Sequence, residues 1–202
     1  MFGEYNNTMK KQPTREKLLD ITFEEVYIYG YMATSVDAIL KKAGVPKGSM
    51  YHHFKGKKEL VLAMVQERLF PKMDSFFNYE LKEGQSVVDS FRHTFIAISK
   101  NTLLVRYGCP LYRLMVELSA TDKAFDSLLS AKALEMKEGI KSLLEKGIET
   151  GELNAQIEID AFAGFVLSAV WGILSMSPSL SSVSTFISQS NYIVKELEHY
   201  LN

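Results

Sequence analysis

Apolar residues recur along this chain at a spacing near 3.6, and nowhere do they alternate with period two over a useful length. Leu18, Leu19, Ile21, Phe23, Val26 and Tyr27 form the first stripe, on a helix that opens at Thr14 and is stopped by Gly30. Val36, Ile39, Leu40 and Ala43 mark a short helix from Ser35 to Lys42, with Thr34 as its N-cap candidate and Gly44 as its end. After a tight turn, Pro46 opens another short helix to Phe54, proline being suited to a first helical turn. Gly56 caps a fourth helix, Lys57 to Phe70, with Glu59 at capping-box spacing and Pro71 as its stop. Five more helical patterns follow, at 86–100, 110–119, 122–150, 160–176 and 183–201. The segments NYELKEGQS and SPSLSS read as polar breaks between them. The pattern predicts an all-α fold of about nine helices, with a small N-terminal unit, 1–56, ordered from about residue 12, and a larger helical body, 57–202.

Composition narrows the class. Apolar residues make up 47% of the chain, enough for a buried core, and no apolar run approaches the roughly 20 residues that span a bilayer. The opening MFGEYNNTMKKQPTREK has no apolar stretch of signal-peptide type, so export and a membrane partner are not expected and a cytoplasmic location is. The lone cysteine, Cys109, excludes an internal disulfide and a Cys-rich zinc site. Charge is unevenly spread. Residues 1–60 carry ten Lys/Arg against seven Asp/Glu, a net +3, and the remainder carries 13 against 17, a net −4. Residues 38–58 hold six lysines and no acid, which points to a polyanion met at one end only.

The stretch VPKGSMYHHF, residues 45–54, lies inside that basic segment. Adjacent residues on a helix point about 100° apart, so His52 and His53 are poor joint ligands for one metal. Two short helices joined by a glycine-containing turn, with a third packed across them, describe a helix-turn-helix. Its second helix enters the major groove with its early residues at the base edges and its flanks on phosphates. Lys47 supplies a cation, Gly48 and Ser49 permit close approach, and Tyr51 and His53 carry ring polar atoms suited to phosphate. Thr34 and Lys57 lie at helix N-termini, where backbone N–H groups favour an anion.

Residues 30–60, GYMATSVDAILKKAGVPKGSMYHHFKGKKEL, resemble the signature of the TetR family of bacterial transcriptional regulators. The resemblance rests on Gly30-Tyr31, Thr34-Ser35-Val36, Ile39, Ala43-Gly44-Val45, Lys47-Gly48, Tyr51, Phe54, Lys57 and Leu60, and is dense over residues 14–65. Pro46 departs from it, standing where a serine often caps the recognition helix. The resemblance implies a homodimer on an operator of approximate two-fold symmetry, and a C-terminal body that releases DNA when a small-molecule effector binds. It implies that Thr34, Lys47, Tyr51, His53 and Lys57 contact phosphates, and that Ser35, Gly48, Ser49 and His52 lie at or near the bases. Effector binding would favour a conformation in which the fourth helix moves and the spacing of the recognition helices changes.

The body carries no GxGxxG, P-loop, GxSxG or metal-ligand spacing, so neither an enzyme nor a cofactor is expected. Phe91, Phe95, Tyr112, Met115 and Trp171 are candidates to line a mainly apolar effector pocket, with His93, Arg106 and Arg113 as polar partners. Cys109 is expected at a helix start between Arg106 and Arg113, where dipole and cations lower a thiol pKa, which makes modification of Cys109 a second route of release; the alternative is a small buried residue at a helix start. The small residues Ala161, Ala163, Gly164, Ser168, Ala169 and Gly172, with Phe162, Phe165, Val166, Leu167 and Ile173, point to dimerisation through the last two helices. A cysteine-dependent helical enzyme and a constitutive DNA binder without effector are the alternatives.

Overall fold

The computed structural model describes residues 13–77, 81, 83–176, 180 and 182–202. The expected onset of order near residue 12 and the polar breaks at 78–86 and 177–182 fall wholly or partly outside them. Among the described residues the regular elements are helical, apart from one antiparallel bridge between Leu153 and Leu201. The helices are α1 (Thr14–Ala33), α2 (Val36–Ala43), α3 (Lys47–His53) and α4 (Lys57–Met64), then a π-helical turn (Val65–Leu69) and α5 (Phe70–Phe76). There follow α6 (Val87–Lys100), α7 (Thr102–Tyr107), α8 (Pro110–Leu118), α9 (Lys123–Glu149), α10 (Ile159–Leu174) and α11 (Val183–Glu198). The all-α expectation holds, and each of the nine expected helices is present among the described residues; α7, and α5 beyond the expected end of the fourth helix, are additional.

Three local expectations are corrected. Gly30 does not end α1; it adopts φ 82° and ψ 171°, breaks the helix direction, and the chain makes one more helical turn to Ala33. Thr34 does not cap α2. Its hydroxyl is buried and donates to the Gly30 carbonyl at 2.7 Å, while Ser35 is the N-cap, its Oγ accepting from Ala38 N–H at 3.0 Å. Pro71 does not close the fourth helix. Proline removes the N–H that the Glu67 carbonyl would accept from, a loss that normally breaks a helix. Here the π turn loosens the spiral, with Phe70 N–H reaching back to the Val65 carbonyl, and Arg68 Nη1 donates to the orphaned Glu67 oxygen at 3.1 Å.

The chain divides into two compact units, 1–72 and 73–202. α4 and the π turn fall in the first unit, where they pack on α1. The N-terminal unit is organised around Leu18, Leu19, Ile39, Ala43, Met50, Phe54, Leu60 and Val61, all buried. Gly44 takes the left-handed conformation that ends α2, with Val45 N–H returning to the Leu40 carbonyl at 3.1 Å. That sharp stop lets α3 begin two residues later.

The second unit packs α6 on α11, α9 on α10 and α8 on α9. The Glu152 carboxylate accepts from the Val87 and Val88 N–H groups, at 2.7 and 3.2 Å, and so caps α6 from the loop after α9. Phe162, Ala163, Val166 and Leu167, expected at a dimer face, are instead buried inside this unit, because α10 turns that side toward α9 and α11. Ala161, Phe165, Ser168 and Gly172 form the stripe of α10 left exposed.

Gly108 joins α7 to α8 with φ +82°, and a Cβ there would lie 2.8 Å from the Leu174 carbonyl oxygen at the end of α10. Gly108→Ala therefore meets both a strained backbone and a clash. It is expected to lower stability by about 1–3 kcal/mol, read as a shift of the urea midpoint.

Candidate nucleic-acid interface

Helix α3 has only seven residues, and its orientation is set by what it buries. Met50 is fully buried and Phe54, which ends the helix, is nearly so. Lys47, Gly48, Tyr51, His52 and His53 are exposed as a result, and Ser49 is half-buried. Pro46 is the N-cap and offers no side-chain hydrogen bond, so the first N–H groups of α3 are not capped by a residue of the serine type.

The surrounding cations differ in availability. Lys47 Nζ lies 3.8 Å from Asp37 Oδ1 with both side chains largely exposed, a contact that a phosphate can replace at little cost. Lys57, at the first position of α4, rests its ammonium 4.2 Å from the centroid of the Tyr31 ring. Lys55, Lys58 and Lys41 are exposed. Lys42 is exposed too but engaged, bonded to Glu25 at 2.8 Å and Glu24 at 3.1 Å on α1. The six-lysine run therefore folds into a basic surface with one of its members turned to the protein. Glu59 accepts from Lys55 N–H at 3.0 Å, one residue before the N-cap Gly56 that the sequence pattern assigned to it.

The expected phosphate and base contacts sort by exposure. Lys47, Gly48, Tyr51, His52 and His53 lie together on α3, and Ser35 is exposed at the start of α2. Thr34 sits beside Ser35 but its hydroxyl is committed to Gly30, so only its main chain is left for an anion. The ion pairs joining α1 to the π turn, Arg15 with Glu67 and Arg68 with Glu16 and Asp20, were not legible in the sequence. Their members lie 48 to 52 residues apart, and no local spacing announces them.

In the body the candidate effector residues fall into separate places. Phe91 and Phe95 are buried on α6, Phe95 edge-on to Phe186 of α11. Tyr112 packs on Trp171, ring centroids 5.2 Å apart, and Met115 is half-buried on α8. His93 shares a hydrogen bond with Gln85 Nε2 at 2.8 Å, and Arg113 donates to the Tyr107 carbonyl at 3.2 Å. A small cavity among the described residues, lined by Val105, Leu174, Thr185, Phe186 and neighbours, encloses about 10 Å³, room for no more than a water. No group of three metal-ligating side chains occurs among the described residues.

Cys109 is the N-cap of α8, as expected, but the consequence drawn from that position is reversed. The thiol is fully buried, and burial pushes its pKa from 9.0 up to about 11, against the opposing pull of the Tyr112 and Leu111 N–H groups and the nearby Trp171 indole. Arg106 and Arg113, close in sequence, turn instead to the Tyr107 ring and the Tyr107 carbonyl.

Comparison with known proteins gives two family matches. Residues 18–64 match the bacterial regulatory proteins of the tetR family, and residues 87–185 match the tetracyclin repressor-like C-terminal domain. An uncharacterized HTH-type transcriptional regulator in the lacX 3' region of Lactococcus lactis is 32% identical over 55% of this chain, a match that spans 58% of that protein. The HTH-type transcriptional repressor DhaR of a Mycobacterium species is 28% identical, over 82% of this chain and 83% of its own. A TetR transcriptional regulator from Chloroflexus aurantiacus superposes with a TM-score of 0.82 at 23% identity, covering 93% of this chain and 96% of that one.

Two outcomes follow from this geometry. Gly48 is the second residue of α3, and nothing lies within 4 Å of a Cβ built there. Gly48→Glu adds helix propensity and a charge favoured by the helix N-terminus, so thermal stability should be unchanged or raised by up to about 1 kcal/mol. DNA binding should be lost, because the added carboxylate stands on the exposed face of α3 where a polyanion is expected. For Cys109, a rise from 9.0 to about 11 means a hundredfold smaller thiolate fraction near pH 8. Alkylation by iodoacetamide should be at least about a hundredfold slower in the folded protein than in urea.

Proposed function

Because the chain belongs to the TetR family, DNA-binding transcriptional regulators of bacteria, we propose that it is a homodimeric repressor whose hold on a palindromic operator is released by a small, mainly apolar effector. The observation that carries this reading is the division of α3 into two faces. Met50 and Phe54 fix the helix to the core, and Lys47, Gly48, Ser49, Tyr51, His52 and His53 remain toward solvent. A groove-facing helix needs that division. Its polar side must be free of other packing, and its apolar side must hold it rigidly.

In the bound state α3 lies in the major groove. Gly48 and Ser49 approach the base edges, and Ser35 and His52 complete the reading surface. Lys47, Tyr51, His53 and Lys57 hold the phosphates, with the main chain at Thr34. The two recognition helices of a dimer must sit about 34 Å apart, or a multiple of it, to meet successive grooves. A conformation that alters this separation binds more weakly, and an effector shifts the population by as much as its affinity differs between the two states.

The exposed stripe Ala161, Phe165, Ser168 and Gly172 on α10, with Val183, Ser188 and Tyr192 on α11, supports the last two helices as the dimer face. Small residues in the α10 stripe permit close approach, and Phe165 and Tyr192 supply area. For release, the noncovalent effector is the favoured route over modification of Cys109, since the thiol is buried and poorly ionised. The cavity beside α10 has room for no more than about a water, so it is not itself the effector site. A body without any effector site is the second reading, a constitutive DNA binder. Thermal-shift screening separates the two, a ligand that both raises the melting point and weakens DNA binding being expected only for the first.

The direct test is selection of duplexes from a random pool by the purified protein, followed by sedimentation of the complex. The expected product is a sequence with two inverted half-sites bound by two or more chains. On that duplex His52→Ala should cost about 1–3 kcal/mol and relax the preference at one position per half-site. An equal loss on every variant sequence would make His52 a phosphate contact.

A further inference from the structure

We propose that Arg15 is a positioning residue for DNA reading, a link by which the π turn at 65–69 holds the end of the recognition helix in register. The inference rests on the DNA-binding reading above and goes beyond it to residues that touch no part of α3's exposed face.

The geometry is specific. Arg15 donates to Glu67 through both terminal nitrogens, Nη1 to Oε2 at 2.8 Å and Nη2 to Oε1 at 2.5 Å, and Nη1 also meets Glu16 Oε1 at 3.2 Å. The same guanidinium lies over the ring of Phe54, 5.5 Å from its centroid. Phe54 is the residue that ends α3, its N–H closing on the Met50 carbonyl at 2.9 Å. One planar cation therefore joins the π turn to the end of the recognition helix. Arg68, the next residue, makes a second tie to α1, Nε to Asp20 Oδ1 at 2.5 Å and Nη2 to Glu16 Oε2. Arg68 and Asp20 are mostly buried, so this tie is shielded from solvent. The arginines hold the Glu16 and Glu67 carboxyls below the ordinary carboxylate range, Arg68 acting chiefly on Glu16 and Arg15 on Glu67.

The π turn makes this arrangement available. Consecutive residues of an α-helix point about 100° apart, and both Glu67 and Arg68 must reach α1. The wider turn, stabilised where Arg68 replaces the N–H missing at Pro71, presents the two side by side. π turns inside α-helices are rare and concentrate at functional positions. Straightening the turn would withdraw Glu67 from Arg15 and leave Phe54 without its cation.

The test uses the full-length protein and the duplex selected as described above. Glu67→Gln is the diagnostic variant. If residue 67 acted on DNA only through its charge, removing a negative group would strengthen binding; the positioning role requires weakening, by about tenfold. Arg15→Gln should weaken binding to the same degree without changing the slope of log affinity against log salt, and Arg15→Lys should recover most of the loss. A slope reduced by about one for Arg15→Gln would make Arg15 a phosphate contact, and tighter or unchanged binding for Glu67→Gln would likewise overturn the proposal. Amide exchange in residues 47–54 of the free protein is the second readout. It should quicken in Arg15→Gln and Glu67→Gln while the melting temperature moves little, and unchanged exchange overturns the link even if no duplex is selected. Failure of the wild-type protein to select DNA, with quickened exchange in the variants, overturns the DNA reading alone.

Discussion

A seven-residue helix has no stability of its own in water. Everything attributed to α3 depends on the burial of Met50 and Phe54, which fasten it to the core of the N-terminal unit. With Met50 inside the helix and Phe54 just beyond its end as anchors, six positions are left for another task, and the residues there are a glycine, a lysine, a serine, a tyrosine and two histidines. Gly44 completes the arrangement by stopping α2 abruptly in a left-handed conformation, so that two short helices meet at a fixed angle.

The charges are distributed on the same principle. Ionic groups that hold the unit together face α1, where Lys42 meets Glu24 and Glu25, and Arg68 meets Asp20 and Glu16. Ionic groups available to a partner include Lys47, whose contact with the exposed Asp37 is long at 3.8 Å. A count of lysines along the sequence does not separate these classes. The separation is made by the fold, which pairs Lys42 with acids seventeen and eighteen residues earlier and leaves its neighbour Lys41 exposed.

What was legible in the sequence was what short spacings encode. The 3.6 period located the helices, the glycine at 44 located the turn, and Pro46 with the basic segment around 45–54 located the recognition helix. Boundaries set by backbone compensation were not legible. Pro71 reads as a stop unless one knows that the Arg68 side chain supplies the missing donor. Thr34 and Ser35 are equivalent caps on paper, and only the break at Gly30 decides that Thr34 turns inward. Of the small residues of α10, Ala161, Ser168 and Gly172 are exposed and Ala163 is buried, while most of the large residues beside them face the interior.

Cys109 shows why a local rule about reactivity fails when burial is unknown. A helix start and two neighbouring arginines both favour a thiolate, and the chain does place Cys109 at the start of α8. Yet Gly108 brings this turn against the end of α10, and the sulfur is fully buried near the Trp171 indole. Desolvation then outweighs the N–H groups that point at it, and the thiol stays protonated. The arginines contribute nothing there because each has a partner at Tyr107. In this body the residue acts as a small apolar group that fits where Gly108 allows the two helices to touch.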